Sequence, residues 1–110
     1  MAHEEAVADR VRKEFLKIEG VTERKMFGGI AFMVHGNMCC GVINDKLMVR
    51  VGPEEYKASL TKPNVHEMDF TGRPLKGFIY VEPAGFKSVK DLKYWINKAM
   101  EYVMTRPKKI

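Results

Sequence analysis

The sequence predicts a two-layer α+β domain, with an antiparallel five-stranded sheet and helices in the order α-β-β-β-α-β-β-α. Three observations predict it. Apolar residues recur at helical spacing near the N-terminus, change to a period of two from residue 22, and return to helical spacing from residue 88. The strand-like runs after residue 22 are separated by turns of two or three residues, too short for the crossovers that parallel strands need. At 110 residues, 45% apolar and 30% charged, the chain suits a single domain with one core.

Residues 3–18 read as an amphipathic helix. Val7, Val11, Phe15 and Ile18 line one stripe with Ala8, Arg10, Arg12, Lys13 and Lys17 take the other side, and Gly20 supplies the stop. Leu16 falls outside the stripe, as an exposed leucine or the edge of a contact surface. Residues 22–34 extend, and the Gly28-Gly29 pair inside them predicts a bulge or a close backbone approach. His35-Gly36-Asn37 turns the chain into a returning strand over 38–44. Asn44-Asp45-Lys46 turns it again into residues 47–51.

Gly52-Pro53-Glu54-Glu55 announces a short helix to about Leu60, since proline suits the first helical position and glutamates suit the positive end of the dipole. Residues 65–70 alternate, with His66, Met68 and Phe70 on one side. Thr71-Gly72-Arg73-Pro74 leads to a fifth strand over 76–82, which Pro83-Ala84-Gly85 closes. The last helix is the clearest element. Ser88 caps it with Asp91 three residues on, and Val89, Leu92, Ile96, Ala99, Met100 and Val103 form its stripe, with Trp95 on the flank. Residues 1–105 are one domain and 106–110 a basic tail that Pro107 keeps out of the helix.

An antiparallel sheet with one wetted face alternates apolar and polar residues. These strands do not. Ile30, Phe32 and Val34 oppose Ala31 and Met33; Cys40 and Val42 oppose Cys39 and Ile43; Phe78 and Tyr80 oppose Ile79 and Val81. Three helices on one face leave the other apolar face over, and such a surplus predicts association as a homodimer or with a stable protein partner.

The net charge of +5 is uneven. Residues 1–85 balance, whereas Lys87, Lys90, Lys93, Lys98, Arg106, Lys108 and Lys109 face only Asp91 and Glu101. This excess reads as the solvated face of a helix or as a patch for nucleic acid or an acidic protein, with Lys90, Lys93 and Lys98 as candidate nucleic-acid contacts. No run approaches the roughly 18 apolar residues of a membrane span, and the N-terminus is not a signal peptide, so the expected location is the cytoplasm, away from membranes. Cys39 and Cys40 are adjacent and form no disulfide framework, which fits a reducing compartment.

The run Lys25-Met26-Phe27-Gly28-Gly29, then an aromatic-bearing strand and Gly36, resembles the opening of the TfoX/Sxy N-terminal domain family. Residues 44–51, the Pro53-Glu54-Glu55 helix start and residues 76–83 resemble later motifs of that family, and Trp95 and Ala99 its terminal helix. Lys76 stands where the family usually has methionine or another apolar residue, and the Cys39-Cys40 pair is not a family feature. The resemblance implies a regulatory module. Longer relatives act in natural competence with a global transcription factor and carry a second domain, so that role is not expected of the first domain alone.

No metal, cofactor or catalytic site is expected. His3, His35 and His66 lack ligand spacing, no phosphate loop or nucleophile motif occurs, and Glu54 and Glu55 serve a helix start. Three classes of function remain: a dimeric regulatory protein-interaction module of the kind used in transcription regulation, a nucleic-acid-binding accessory using the last helix, and a small-molecule binder or enzyme. For the first, the expected interaction residues are Met26, Phe27, Gly28, Gly29, Phe32 and Met33.

Overall fold

The computed structural model describes residues 5–16, 18–26, 29–68 and 76–106. Its elements are α1 (Glu5–Phe15), β1 (Val21–Met26), β2 (Gly29–Val34), β3 (Asn37–Ile43), β4 (Lys46–Arg50), α2 (Pro53–Leu60), β5 (Val65–Glu67), β6 (Phe78–Val81), a 3₁₀ turn (Pro83–Phe86) and α3 (Val89–Val103). The α+β class and the antiparallel sheet are as the sequence predicts, but the strands number six. The extra strand arises at the glycine pair. Instead of one bulged strand over 22–34, β1 and β2 lie side by side, with Met26 opposite Gly29 and Val21 opposite Val34. Gly28 and Phe27 lie outside the described residues, as do Phe70 and the turn and tail expected at 71–74 and 107–110.

The strand order is β1-β2-β3-β4-β6-β5, all pairs antiparallel. Short turns make this possible. His35 (φ 51°) and Gly36 (φ 82°) occupy the two-residue link from β2 to β3, the positive-φ chemistry such a hairpin requires. Asn44 (φ 55°) plays the same part between β3 and β4.

All three helices pack on one face. Ala8, Val11 and Phe15 of α1, Tyr56 of α2, and Leu92, Trp95, Ile96, Ala99 and Val103 of α3 close over Ile30, Phe32, Val34, Val42, Leu47, Val49, Ile79 and Val81. At the α1 end the Phe15 and Phe32 rings stack with centroids 5.5 Å apart. Trp95 is buried, and its Nε1 donates to the Gly85 carbonyl at 3.1 Å. Ser88 Oγ accepts from the Asp91 amide at 3.0 Å, so the expected cap forms. Val89 departs from its stripe: at the first turn it lies beyond the sheet and is 59% exposed.

The opposite face carries a second apolar cluster of Ala31, Met33, Met38, Ile43, Met48 and Met68, flanked by Phe78 and Tyr80. No residue of the three helices belongs to it. Its six members are nevertheless only 0–8% exposed in the single chain. The expectation of an apolar face left over for a partner is therefore corrected. The long, unbranched methionines fill irregular space well, and Gly41 makes room for one of them. A Cβ there would lie 2.5 Å from Met48 Cε and 2.5 Å from the Ile30 carbonyl oxygen.

The β2–β3 pairing also alters the expected facing of the cysteines. Phe32 pairs with Cys40 and Met33 with Met38, so Cys39 is an unpaired bulge residue. The bulge swings Cys39 to the helix side beside Cys40, and both thiols are fully buried in the same core.

Deleting a ring from this stack leaves a cavity. Phe32→Ala is expected to lose about 3–5 kcal/mol of unfolding free energy, whereas Leu16→Ala, at a 78% exposed site, changes it by less than ~0.5 kcal/mol. Urea titration of both variants checks this.

Candidate interaction surface

The residues expected to meet a partner divide between two environments. Met26 ends β1 and Gly29 opens β2 at one corner of the sheet. Phe32 is sealed under Phe15, and Met33 belongs to the methionine cluster beneath the other face. Neither offers its ring or thioether freely to a partner, because the apolar face supposed to be open is closed.

What stays open is the edge. β1 has β2 on one side and no strand on the other among the described residues. Thr22, Glu23, Arg24 and Lys25 along it are exposed. Beside it, on the helix side, Leu16 leaves the end of α1 almost fully exposed, over a groove of about 280 Å³ formed with Phe15, Ile18, Val21 and Phe32. Arg12 fastens α1 to this edge: Nε and Nη2 donate to the two Glu23 carboxylate oxygens at 2.8 and 3.0 Å, and Nη1 donates to Asp9 at 2.6 Å and Glu5 at 3.3 Å. The Glu23 hydrogen bonds, ahead of those from Asp9 and Glu5, push the guanidinium pKa still higher, so this clamp stays charged at any physiological pH.

A second surface lies on the outer side of α2 and α3. Lys90 and Lys93 are exposed, as the sequence suggests. Lys98 is not their equivalent, since its Nζ donates to Glu55 of α2 at 2.8 Å. That contact lowers the Glu55 pKa and raises that of Lys98, which makes Lys98 a helix–helix tie. In its place the fold supplies Lys62, from just after α2, whose Nζ lies 5.0 Å from the centroid of the Tyr94 ring. Sequence reading missed Lys62 because nothing local marks it: it reads as a helix terminator, and only the α2–α3 packing brings it to Tyr94.

A cleft of about 470 Å³ separates the start of α2 from the end of α3, lined by Glu54, Glu55, Lys98, Glu101, Tyr102 and Arg106 among others. Tyr102 packs into the space a Cβ at Gly52 (φ 88°) would take, and the Arg50 guanidinium lies between the Tyr102 and Phe78 rings, 5.2 and 5.4 Å from their centroids. These contacts join the end of β4 to α3 and account for the aromatic and basic residues of this cleft as packing.

The thiols face away from every opening. The hydrogen bond from Cys39, followed by burial, pushes the Cys40 thiol pKa up. Among the described residues no group of three or more His, Cys, Asp or Glu side chains is placed to hold a metal ion, and no helix is long and apolar enough to cross a membrane.

This arrangement, a meander of strands under three helices with its motifs at the first hairpin, the start of α2 and β6, is a small two-layer α+β domain. The family model of the TfoX N-terminal domain matches residues 13–103, most of the chain, and the chain belongs to that family. A search among curated proteins finds no match.

Because a fully buried thiol is out of a reagent's reach, Cys39 and Cys40 are expected to be silent toward an aromatic disulfide reagent in the native protein. Both should react once the chain is unfolded in guanidinium. Rapid native labelling of either thiol contradicts their placement.

Proposed function

We propose that this chain is a non-enzymatic, cytoplasmic regulatory module of the TfoX N-terminal type. It acts through protein contact, in transcription regulation as the family resemblance implies, and its first partner is a second copy joined along β1. One observation carries the reading: the open β1 edge lies beside an exposed Leu16 and its apolar groove, so that one added strand covers both. An unpaired edge is a template for another strand unless it is blocked.

The charges along β1 select the occupant. Glu23 faces the helix side, where it meets Arg12, and by strand alternation Lys25 faces the same side. When a second copy runs antiparallel about a two-fold axis through Arg24, Glu23 of each copy lies opposite Lys25 of the other. Two opposite-charge pairs result, each worth about 0.2–1 kcal/mol in a sheet. Arg24 meets its own counterpart on the open side of the strand, where salt screens the repulsion.

Sedimentation at tens of micromolar tests the reading. The wild-type chain is expected to be a dimer. Lys25→Glu, which sets two like-charged pairs across the axis, and Leu16→Arg are each expected to give monomers that keep the wild-type circular dichroism spectrum, because neither side chain contributes to the core, and that lose only the stabilisation association supplies. A monomeric wild type, or a dimer indifferent to both changes, contradicts the proposal.

A further inference from the structure

Beyond the edge contact, we infer that the outer face of α3, together with the residue that follows α2, binds the phosphate backbone of a nucleic acid. The observation is a juxtaposition that the fold creates. Lys90 and Tyr94 are four residues apart and form one row along the helix, Lys93 and Asn97 form the next, and Lys62 crosses from α2 to the Tyr94 ring. Lys62, Lys90, Lys93 and Asn97 are all exposed.

Three acidic groups bear on this face. Glu55 is taken up by Lys98, and Glu101 lies two turns beyond Lys93 toward the helix end. Asp91, in the first turn, engages Ser88 through its backbone amide, and its carboxylate is the one negative charge among the lysines. Lysines therefore outnumber carboxylates where the row is densest. In a protein whose first 85 residues are electrically balanced, that is where a polyanion is attracted.

The side-chain chemistry favours nucleic acid over an acidic protein. Lysine, asparagine and tyrosine are the residue types that contact phosphate and sugar. Its exposed apolar groups are Val89 in the first turn and the Tyr94 ring, too few to form the apolar centre around which protein interfaces are organised. The Tyr94 ring already has Lys62 at 5.0 Å and Lys98 at 5.9 Å, so its part is to hold the ammonium groups in place rather than to stack on a base. Backbone contact of this kind carries no sequence preference.

Fluorescence anisotropy of the full chain with labelled duplex DNA of random sequence tests the inference. Binding is expected at low salt, weakening linearly in log–log form as salt rises. The double change Lys90→Gln/Lys93→Gln is expected to weaken binding by about tenfold or more, and Lys62→Gln by a smaller factor, since each removes a phosphate contact. Glu55→Gln/Lys98→Gln is the control: it removes the pair without changing the net charge of the face, so affinity should stay within about twofold. Failure to bind at low salt, or binding unaffected by the double change, overturns the inference. Tighter capture of a poly-glutamate peptide than of DNA at matched salt also overturns it, assigning the face to an acidic protein. Lys25→Glu and Leu16→Arg leave this face untouched, so the two proposals fail separately.

Discussion

The structure depends on one constraint: the central strands β2, β3 and β4 are apolar on both sides, so neither face of the sheet can be left to water. On one side the answer is helical. Phe15, Tyr56, Trp95 and Ile96 arrive from three helices and bury Phe32, Val42, Leu47 and Val49. On the other side it is methionine. Four of them, with Ala31 and Ile43, bury one another to within a few per cent of full closure. Unbranched thioethers adapt to uneven space, and among the described residues no helix contributes to this second layer.

That closure redirects the functional reading. A small domain with an open greasy face docks through it; a domain with both faces sealed must use its rims and its charges. Here the rims differ in character. The β1 edge pairs alternating charge with an exposed leucine and a shallow apolar groove. The α2–α3 side offers lysines that the fold gathers from two elements, one of them lost from the set because Glu55 engages Lys98. Arg12 links α1 to Glu23 at the first rim, and Lys98 links α3 to Glu55 at the second. Both surfaces are therefore displayed by ion pairs that hold helices to neighbouring elements.

Much of the fold was legible in the residues. The Ser88 cap, the His35-Gly36 and Asn44 turns, the Pro53 helix start and the stripe of α3 each follow from local chemistry, and each forms. The failures share a cause, which is long-range pairing. Gly28-Gly29 looks the same in sequence whether a strand bulges or two strands meet, and the register of Met26 against Gly29 decides it. Strict alternation puts Cys39 on the wrong face, because the bulge depends on how β2 aligns with β3. Val89 sits at helical spacing yet has nothing beneath it. For the candidate surfaces, Leu16 was visible as an outlier from its stripe. The roles of Lys62 and Lys98 were not, since they are set by residues 32 and 43 positions away in the chain.

A single chain seals its methionine-rich face without a partner. Limited oxidation by hydrogen peroxide, read by peptide mass spectrometry on protein dilute enough to be monomeric, tests it most directly. Met104, 60% exposed at the end of α3, is expected to oxidise at the rate of a free methionine, while Met33, Met38, Met48 and Met68 stay protected until the chain unfolds. Oxidation of those four as fast as Met104 in the native monomer would contradict the account and return the open face to the sheet.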